Sequence, residues 1–194
     1  MPGTDLASKT EYVEMDQLDI SALFRRYARL VARWAARLGG PGIDAEDVVQ
    51  DVFMVAGRRL THFTGDAKIT TWLFRTTERV VYGLRRKQRW MRWLARSGDE
   101  VSVHLTNPRL SPADELQRLE ASRSVYRLLD RLPDKYRRVL ILFELEGLPT
   151  AEIADLLETR QGTVRVWLFR ARALFLAEKQ RFDELSARQT GGEP

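Results

Sequence analysis

The stretch that decides the fold runs from Thr150 to Phe175, TAEIADLLETRQGTVRVWLFRARALF. It reads as two short helices joined by a tight turn. Counting from Thr150, the fifth position is Ala154, where two crossing helices leave room only for a small side chain. The fifteenth is Val164, an apolar position that such a crossing buries. Ile153, Leu157, Leu168, Ala171 and Phe175 supply the core face. That leaves Arg160, Thr163, Trp167 and Arg170 outward, the last three at i, i+4 and i+7 on one stripe. Arg165 and Arg172 add charge to the same helix. The layout is that of a helix-turn-helix whose second helix enters the major groove of DNA. Arginine pairs bidentately with guanine, threonine meets a thymine methyl, and both hold phosphate. The ninth position, at the turn, ordinarily takes glycine because it needs a positive φ. Here it is Glu158, at a cost of about 1 kcal/mol.

Upstream of this hairpin, Tyr136, Val139, Leu140 and Phe143 form a helical stripe between Pro133 and Gly147. Ser111, Pro112 and Asp114 give an N-cap, a proline in the first turn and an acid behind it, a strong helix start. Residues 97–111, SGDEVSVHLTNPRLS, break the periodicity and read as a flexible linker.

A second helical region precedes the linker. Ile20, Leu23, Phe24, Tyr27, Leu30, Val31, Trp34 and Leu38 recur at helical spacing until Gly39-Gly40-Pro41-Gly42 stops them. Asp44 then stands as an N-cap before Val48, Val49, Val52, Phe53 and Ala56. A third helix begins near Thr71, with Trp72, Leu73, Thr76, Val80 and Leu84 expected on its buried side. It carries Arg75, Arg79, Arg85, Arg86, Lys87, Arg89, Arg92 and Arg96 against one acid, Glu78, with Trp90 and Trp93 interleaved. Such charge neutralises phosphates and releases counterions, and aromatic faces stack on exposed bases. Asp44, Glu46 and Asp47 complement the dipole of the preceding helix. Asp51 lies too far in for that, so Gln50 and Asp51 read as a protein-binding face.

The chain of 194 residues is 44% hydrophobic and 30% charged, with a formal net charge of +5. It has no cysteine and two histidines, His62 and His104, which rules out a disulfide framework and thiol-based metal or redox sensing. No cofactor or metal is called for. No apolar run reaches membrane-spanning length and the N-terminus lacks a signal-peptide core, so a cytoplasmic protein is expected. The fold expected is all-α: a loose N-terminus over 1–18, a helical domain over 19–96, the linker over 97–111, a helix-turn-helix domain over 112–182 and a frayed tail over 183–194.

Four segments carry a resemblance. IDAEDVVQDVF, FTGDAKITTWLFR and RLPDKYRRVLILFELEGLPTAEIADLL, followed by GTVRVWLFRARALF, resemble the extracytoplasmic-function (ECF) sigma factors of bacteria, which keep only regions 2 and 4 of the sigma-70 class. The resemblance covers about residues 20–180 in order. It implies that Asp47, Gln50 and Asp51 dock on the β′ coiled coil of RNA polymerase. It implies that Phe63, Lys68, Thr71, Arg75, Arg79, Arg85 and Arg86 hold the melted −10 element. The helix from Gln161 would read the −35 element through Arg160, Gln161, Thr163, Arg165, Trp167 and Arg170, while its domain contacts the β flap. The linker would thread toward the polymerase active-site and RNA-exit channel. An anti-sigma factor is a further implied partner, and Trp167 a residue that touches bases or such a partner. Where the family usually has Asn the chain has Arg79, and Gly83 stands where Asp or Asn is frequent.

Two other readings stay open at this point. A stand-alone helix-turn-helix repressor or activator would need a dimer interface or ligand pocket. A nucleic-acid enzyme would need clustered carboxylates on a basic surface for two-metal chemistry, and Asp44, Glu46, Asp47 and Asp51 are the only dense group.

Overall fold

A computed structural model describes residues 19–60, 68–94 and 112–190. Phe63, the linker over 97–111 and the N-terminal 1–18 lie outside them. The described residues form helices and no strand. The helices are α1 (Ile20–Gly39), α2 (Ala45–Arg59), α3 (Ile69–Leu94), α4 (Pro112–Leu129), α5 (Asp134–Leu140), α6 (Thr150–Leu156) and α7 (Gln161–Thr190), with a π-helical turn, Ile141–Leu145, prolonging α5. They divide into two compact units: α1–α3 make the body of the first, and α4, α5, most of α6 and α7 that of the second.

In the first unit the Asp44 cap falls where the sequence puts it, and Asp19 adds one that the sequence reading did not name. Asp19 accepts the backbone N–H of Ser21 at 3.1 Å and opens α1. Asp44 accepts from Glu46 at 2.8 Å and Asp47 at 3.5 Å and opens α2, and such caps are worth about 1 kcal/mol each. α1 buries Leu23, Val31, Trp34, Ala35 and Leu38; α2 buries Val48, Val49, Val52, Phe53 and Ala56. Two edge-to-face aromatic pairs cross the bundle: Trp34–Phe74 at 5.2 Å and Phe24–Phe53 at 4.9 Å.

The buried face of α3 is rotated from the expected one. Thr71, Leu73, Phe74, Thr76, Thr77, Val81 and Arg85 are buried, while Trp72, Val80 and Leu84 are only half-buried. The reason is local: Thr76 and Thr77 donate their hydroxyls to the carbonyls of Trp72 and Leu73 at 2.9 and 2.8 Å, so their polar atoms enter the core already satisfied.

The second unit buries Leu128, Leu129, Leu132, Tyr136, Val139, Leu140, Ile141, Leu142, Ile153, Ala154, Val164, Leu168 and Ala171. Ala154 and Val164 take the positions expected of them. One charged residue lies in this core: Arg137 is fully buried, paired with Asp130 at 3.4 Å and set over the Tyr126 ring at 5.9 Å. The π-helical turn ends at Gly147 (φ +70°), where Leu148 N–H reaches back to Leu142 O at 3.0 Å. α7 continues to Thr190, past residue 183, from which a frayed tail was expected. Lys179–Asp183 and Arg181–Glu178, at i,i+4 and i,i+3, pair on the turn that leads up to residue 183.

The turn between α6 and α7 carries the departure noted in the sequence. Glu158 is left-handed, with φ 46°, and Thr159 N–H bonds to Ala154 O at 2.9 Å. This is a Schellman ending with glutamate at the glycine position. Left-handed geometry costs a side-chain-bearing residue about 1–2 kcal/mol, partly offset by the entropy glycine loses on folding. Glu158→Gly is therefore expected to stabilise the second unit by about 0.5–1 kcal/mol, seen as a higher denaturant midpoint with unchanged slope. An unchanged or lower midpoint would mean the turn relaxes without strain.

Candidate nucleic-acid interface

Three exposed helix faces carry the candidate residues. On α2, Asp47, Gln50 and Asp51 are exposed and, at i, i+3 and i+4, share one stripe. Met54, 55% exposed, continues that stripe one turn on. The sequence reading missed it because a single methionine in a helix ordinarily reads as core. The face is thus a polar and acidic strip with one soft apolar residue.

On α3, Arg75, Arg79 and Arg86 are exposed and fall on one side of the helix, with Gly83, Lys87 and Arg89 also outward and Trp90 60% exposed at the end. Lys68, just before the helix, is exposed as well. Two of the expected DNA-contacting residues are not on this surface. Thr71 is 5% exposed and packs inward. Arg85 is 6% exposed and donates to the carbonyl of Gly39 at the end of α1, at 3.4 Å. Arg85 faces the interior because it lies four residues beyond Val81, on the same side of the helix. Its guanidinium closes the C-terminal end of α1, where cations are favoured. A charge run in sequence does not show which of its members a neighbouring helix end will claim.

On α7 the outermost row is Gly162, Arg165, Val166 and Phe169, with Gln161 and Arg170 exposed beside it. Val166 is 48% exposed and Phe169 77%. Thr163 and Trp167 are half-buried at the margin, which corrects the stripe expected from sequence by about a third of a turn. Val166 and Phe169 were missed because apolar residues on a short helix are assigned to the core by default. Arg160 is exposed ahead of the helix. Gln161 spends its amide on the architecture, donating Nε2–H to Thr150 Oγ1 at 2.9 Å. Arg172 is also engaged: its Nε and Nη2 donate to Glu144 Oε1 at 3.0 and 2.8 Å, and its guanidinium lies over Phe143 at 5.1 Å. Among the described residues no group of three or more His, Asp or Glu is placed to hold a metal ion.

The two helical units, one with its arginines on the basic third helix and the other on the second helix of a helix-turn-helix, match two family models in chain order. Residues 23–91 match sigma-70 region 2, and residues 122–175 match sigma-70 region 4. The chain is 31% identical over 177 residues to the RNA polymerase sigma factor NccH of Alcaligenes xylosoxydans xylosoxydans, covering 91% of this chain and 95% of that one. It belongs to the sigma-70 family, as an ECF sigma factor. The ECF RNA polymerase sigma-E factor of Escherichia coli (strain K12) is 33% identical over 167 residues, 81% of this chain and 84% of the relative. The fold is shared with CnrH, solved in complex with the cytosolic domain of CnrY, at a TM-score of 0.53 and 26% identity, covering 84% of this chain and 88% of CnrH. It is also shared with the sigma factor RpoE of Bartonella quintana, solved with the anti-sigma factor NepR, at a TM-score of 0.56 and 20% identity, covering 84% and 97%. As a sigma factor the protein serves RNA polymerase in initiating transcription at promoters, and its family is one of specificity subunits rather than enzymes. No helix among the described residues is long and apolar enough to cross a membrane.

Proposed function

We propose that this sigma factor divides promoter reading between its two units and leaves all catalysis to the polymerase. The exposed α2 strip of Asp47, Gln50, Met54 and Asp51 docks on the β′ coiled coil. The α3 face of Arg75, Arg79 and Arg86, with Lys68 before it and Phe63 earlier in the sequence, holds the opened −10 strand. Arginine at 79 and glycine at 83, in place of the family's amide or carboxylate, make this grip more dependent on charge than on base pattern. The α7 face of Arg165, Val166, Phe169 and Arg170, flanked by Arg160 and Gln161, enters the major groove of the −35 element. Thr163 and Trp167 serve its edge, where a half-buried side chain still reaches a backbone phosphate or a partner. An apolar groove of about 370 Å³ in the second unit, lined by Val125, Leu129, Leu145, Phe175 and Leu176, suits the β flap. A cytoplasmic location and an anti-sigma partner follow from the family reading, the sigma factor RpoE of Bartonella quintana having been solved with the anti-sigma factor NepR.

The observation that carries this reading is the separation of charge: an acidic strip on α2 and arginine faces on α3 and α7. A lone repressor has no use for an acidic strip beside a DNA-binding helix. The test is Asp51→Arg. Reversing an exposed interfacial charge is expected to weaken binding to core polymerase about tenfold or more, with the thermal transition of the chain unchanged. A variant that still captures β′ like the wild type would remove α2 from the interface. Wild-type chain that leaves polymerase promoter selectivity unaltered would return the repressor reading.

A further inference from the structure

One side-chain hydrogen bond joins the two helices of the hairpin at their starts. Gln161 Nε2 donates to Thr150 Oγ1 at 2.9 Å. Thr150 is the first residue of α6 and Gln161 the first of α7. Thr150 is half-buried and Gln161 exposed. A glutamine amide carries two N–H donors and a carbonyl acceptor. The bond uses one N–H, and the second N–H and Oε1 take no partner among the described residues. What remains is a donor beside an acceptor in one plane. That pattern complements N7 and the N6 amino group of adenine in the major groove. Guanine presents two acceptors on the same edge, N7 and O6, so an Oε1 held in place repels it. An unheld glutamine turns its amide about a soft last torsion and meets either purine.

The pair sits where duplex would reach it. Gln161 lies one helical turn before Arg165, on the same side of α7. Thr150 borders that surface, lining a shallow hollow with Phe143, Arg165 and Phe169. Gly162, next along α7, is exposed, and a side chain there would meet nothing of the protein within 4 Å. The surface beside the amide is therefore open to a ligand. The post itself is firm. Threonine is stiff at χ1, and Thr150 begins a helix whose Ile153 and Ala154 are buried. The turn from α6 to α7 is closed by Thr159 N–H on Ala154 O at 2.9 Å. A side chain oriented in advance gives up less freedom when DNA arrives.

We infer that Thr150 is a positioning residue for promoter recognition: its hydroxyl locks the Gln161 amide in the orientation that reads adenine and rejects guanine at one position of the duplex under α7. The inference rests on the proposal that the α7 face reads the −35 element, and it adds the base that Gln161 takes there.

The test uses holoenzyme reconstituted from the full chain and core polymerase, offered promoter fragments randomised over the upstream element. Gln161→Ala is expected to lose, at one position, a preference for adenine over guanine of about tenfold or more. Thr150→Val keeps the branched shape and removes the hydroxyl. It should lower the adenine-to-guanine ratio at that same position by about three- to tenfold, with other positions unchanged, and Thr150→Ser should restore it. The double variant of Gln161→Ala and Thr150→Val should be no worse than Gln161→Ala alone. Gln161→Glu leaves Thr150 untouched and keeps only acceptors, so it should turn the preference toward cytosine, whose N4 amino group donates. An adenine-to-guanine ratio that survives Thr150→Val would overturn the positioning role. Guanine preferred by the wild type at that position would mean that the hydroxyl donates and the amide is reversed, and would overturn the adenine assignment. Wild-type preference in Gln161→Ala, with preference lost in Arg165→Ala or Arg170→Ala, would overturn this inference and leave the α7 reading intact. Wild-type preference in all three would overturn the α7 reading itself, and this inference with it.

Discussion

Trp34→Ala is expected to destabilise the first unit by about 3–5 kcal/mol. Trp34 is 1% exposed and meets Phe74 edge-to-face at 5.2 Å, so its removal opens a cavity between α1 and α3 and ends an aromatic contact worth about 1 kcal/mol. Its indole N–H has no acceptor, so no hydrogen bond is lost, and the whole effect is packing. A domain of this size has about 5–15 kcal/mol in hand. The loss therefore brings the unit close to its limit and lowers its transition by tens of degrees, at about 4–8 °C per kcal/mol. Trp34→Phe separates the contributions: it keeps a ring against Phe74, removes an unsatisfied donor and should cost a small part of the alanine loss. The functional consequence is specific. The α2 strip and the α3 basic face are both displayed by this core, so polymerase capture and −10 binding should fail together as the first unit melts, while the second unit keeps its own transition. Denaturant unfolding followed by circular dichroism reads both transitions. A first unit that unfolds within 1 kcal/mol of wild type would show that α1 and α3 are not held by this contact.

Much of this organisation is legible in the sequence because helix boundaries have chemical markers. Asp44 caps α2, Ala154 and Val164 sit at the helix crossing, and Glu158 takes the left-handed conformation that its place in the turn demands. These are local properties, set by a few neighbouring residues. What was not legible depends on the third dimension. Thr71 and Arg85 read as surface because one is polar and the other charged, yet α3 turns both inward, where Arg85 finds the end of α1. Arg137 gave no sign of being buried, since its pairing with Asp130 joins α5 to the end of α4. The same limit hid Met54, Val166 and Phe169, whose exposure follows from how far each helix is rotated against its neighbours. A period of 3.6 residues places a side chain to within about a third of a turn from pattern alone, and that is the margin separating Thr163 and Trp167 from Arg165 and Phe169. Resemblance to a family supplies roles for positions, but the rotation of each helix decides which positions are able to play them.

That margin makes the α7 face the most informative place to perturb. Replacing Arg165 and Arg170 together by alanine is expected to weaken engagement of the upstream promoter element by about 2–6 kcal/mol, the sum of about 1–3 for each arginine. Both are exposed, on the outermost part of α7 and five residues apart, far enough along the helix for their losses to add to a first approximation. The fold has little stake in them: neither lies in the core, and Ala improves helix propensity slightly over Arg. Loss of function without loss of stability is therefore the expected pattern, the reverse of Trp34→Ala. The two single variants should differ in kind. A residue that reads a base relaxes preference at its own position, and one that holds phosphate weakens all sequences alike and lowers the salt slope by about 1. Phe169 lies on the Arg165 row and next to Arg170 in sequence, so its apolar ring meets base edges or sugar only if that row enters the groove. Phe169→Ala should then deepen the defect of either single variant. Footprinting of holoenzyme on a promoter would show protection lost upstream and retained at the melted element, because α3 is untouched. Upstream protection that survives in the double-alanine holoenzyme would take α7 out of the groove and leave its arginines as solvated surface.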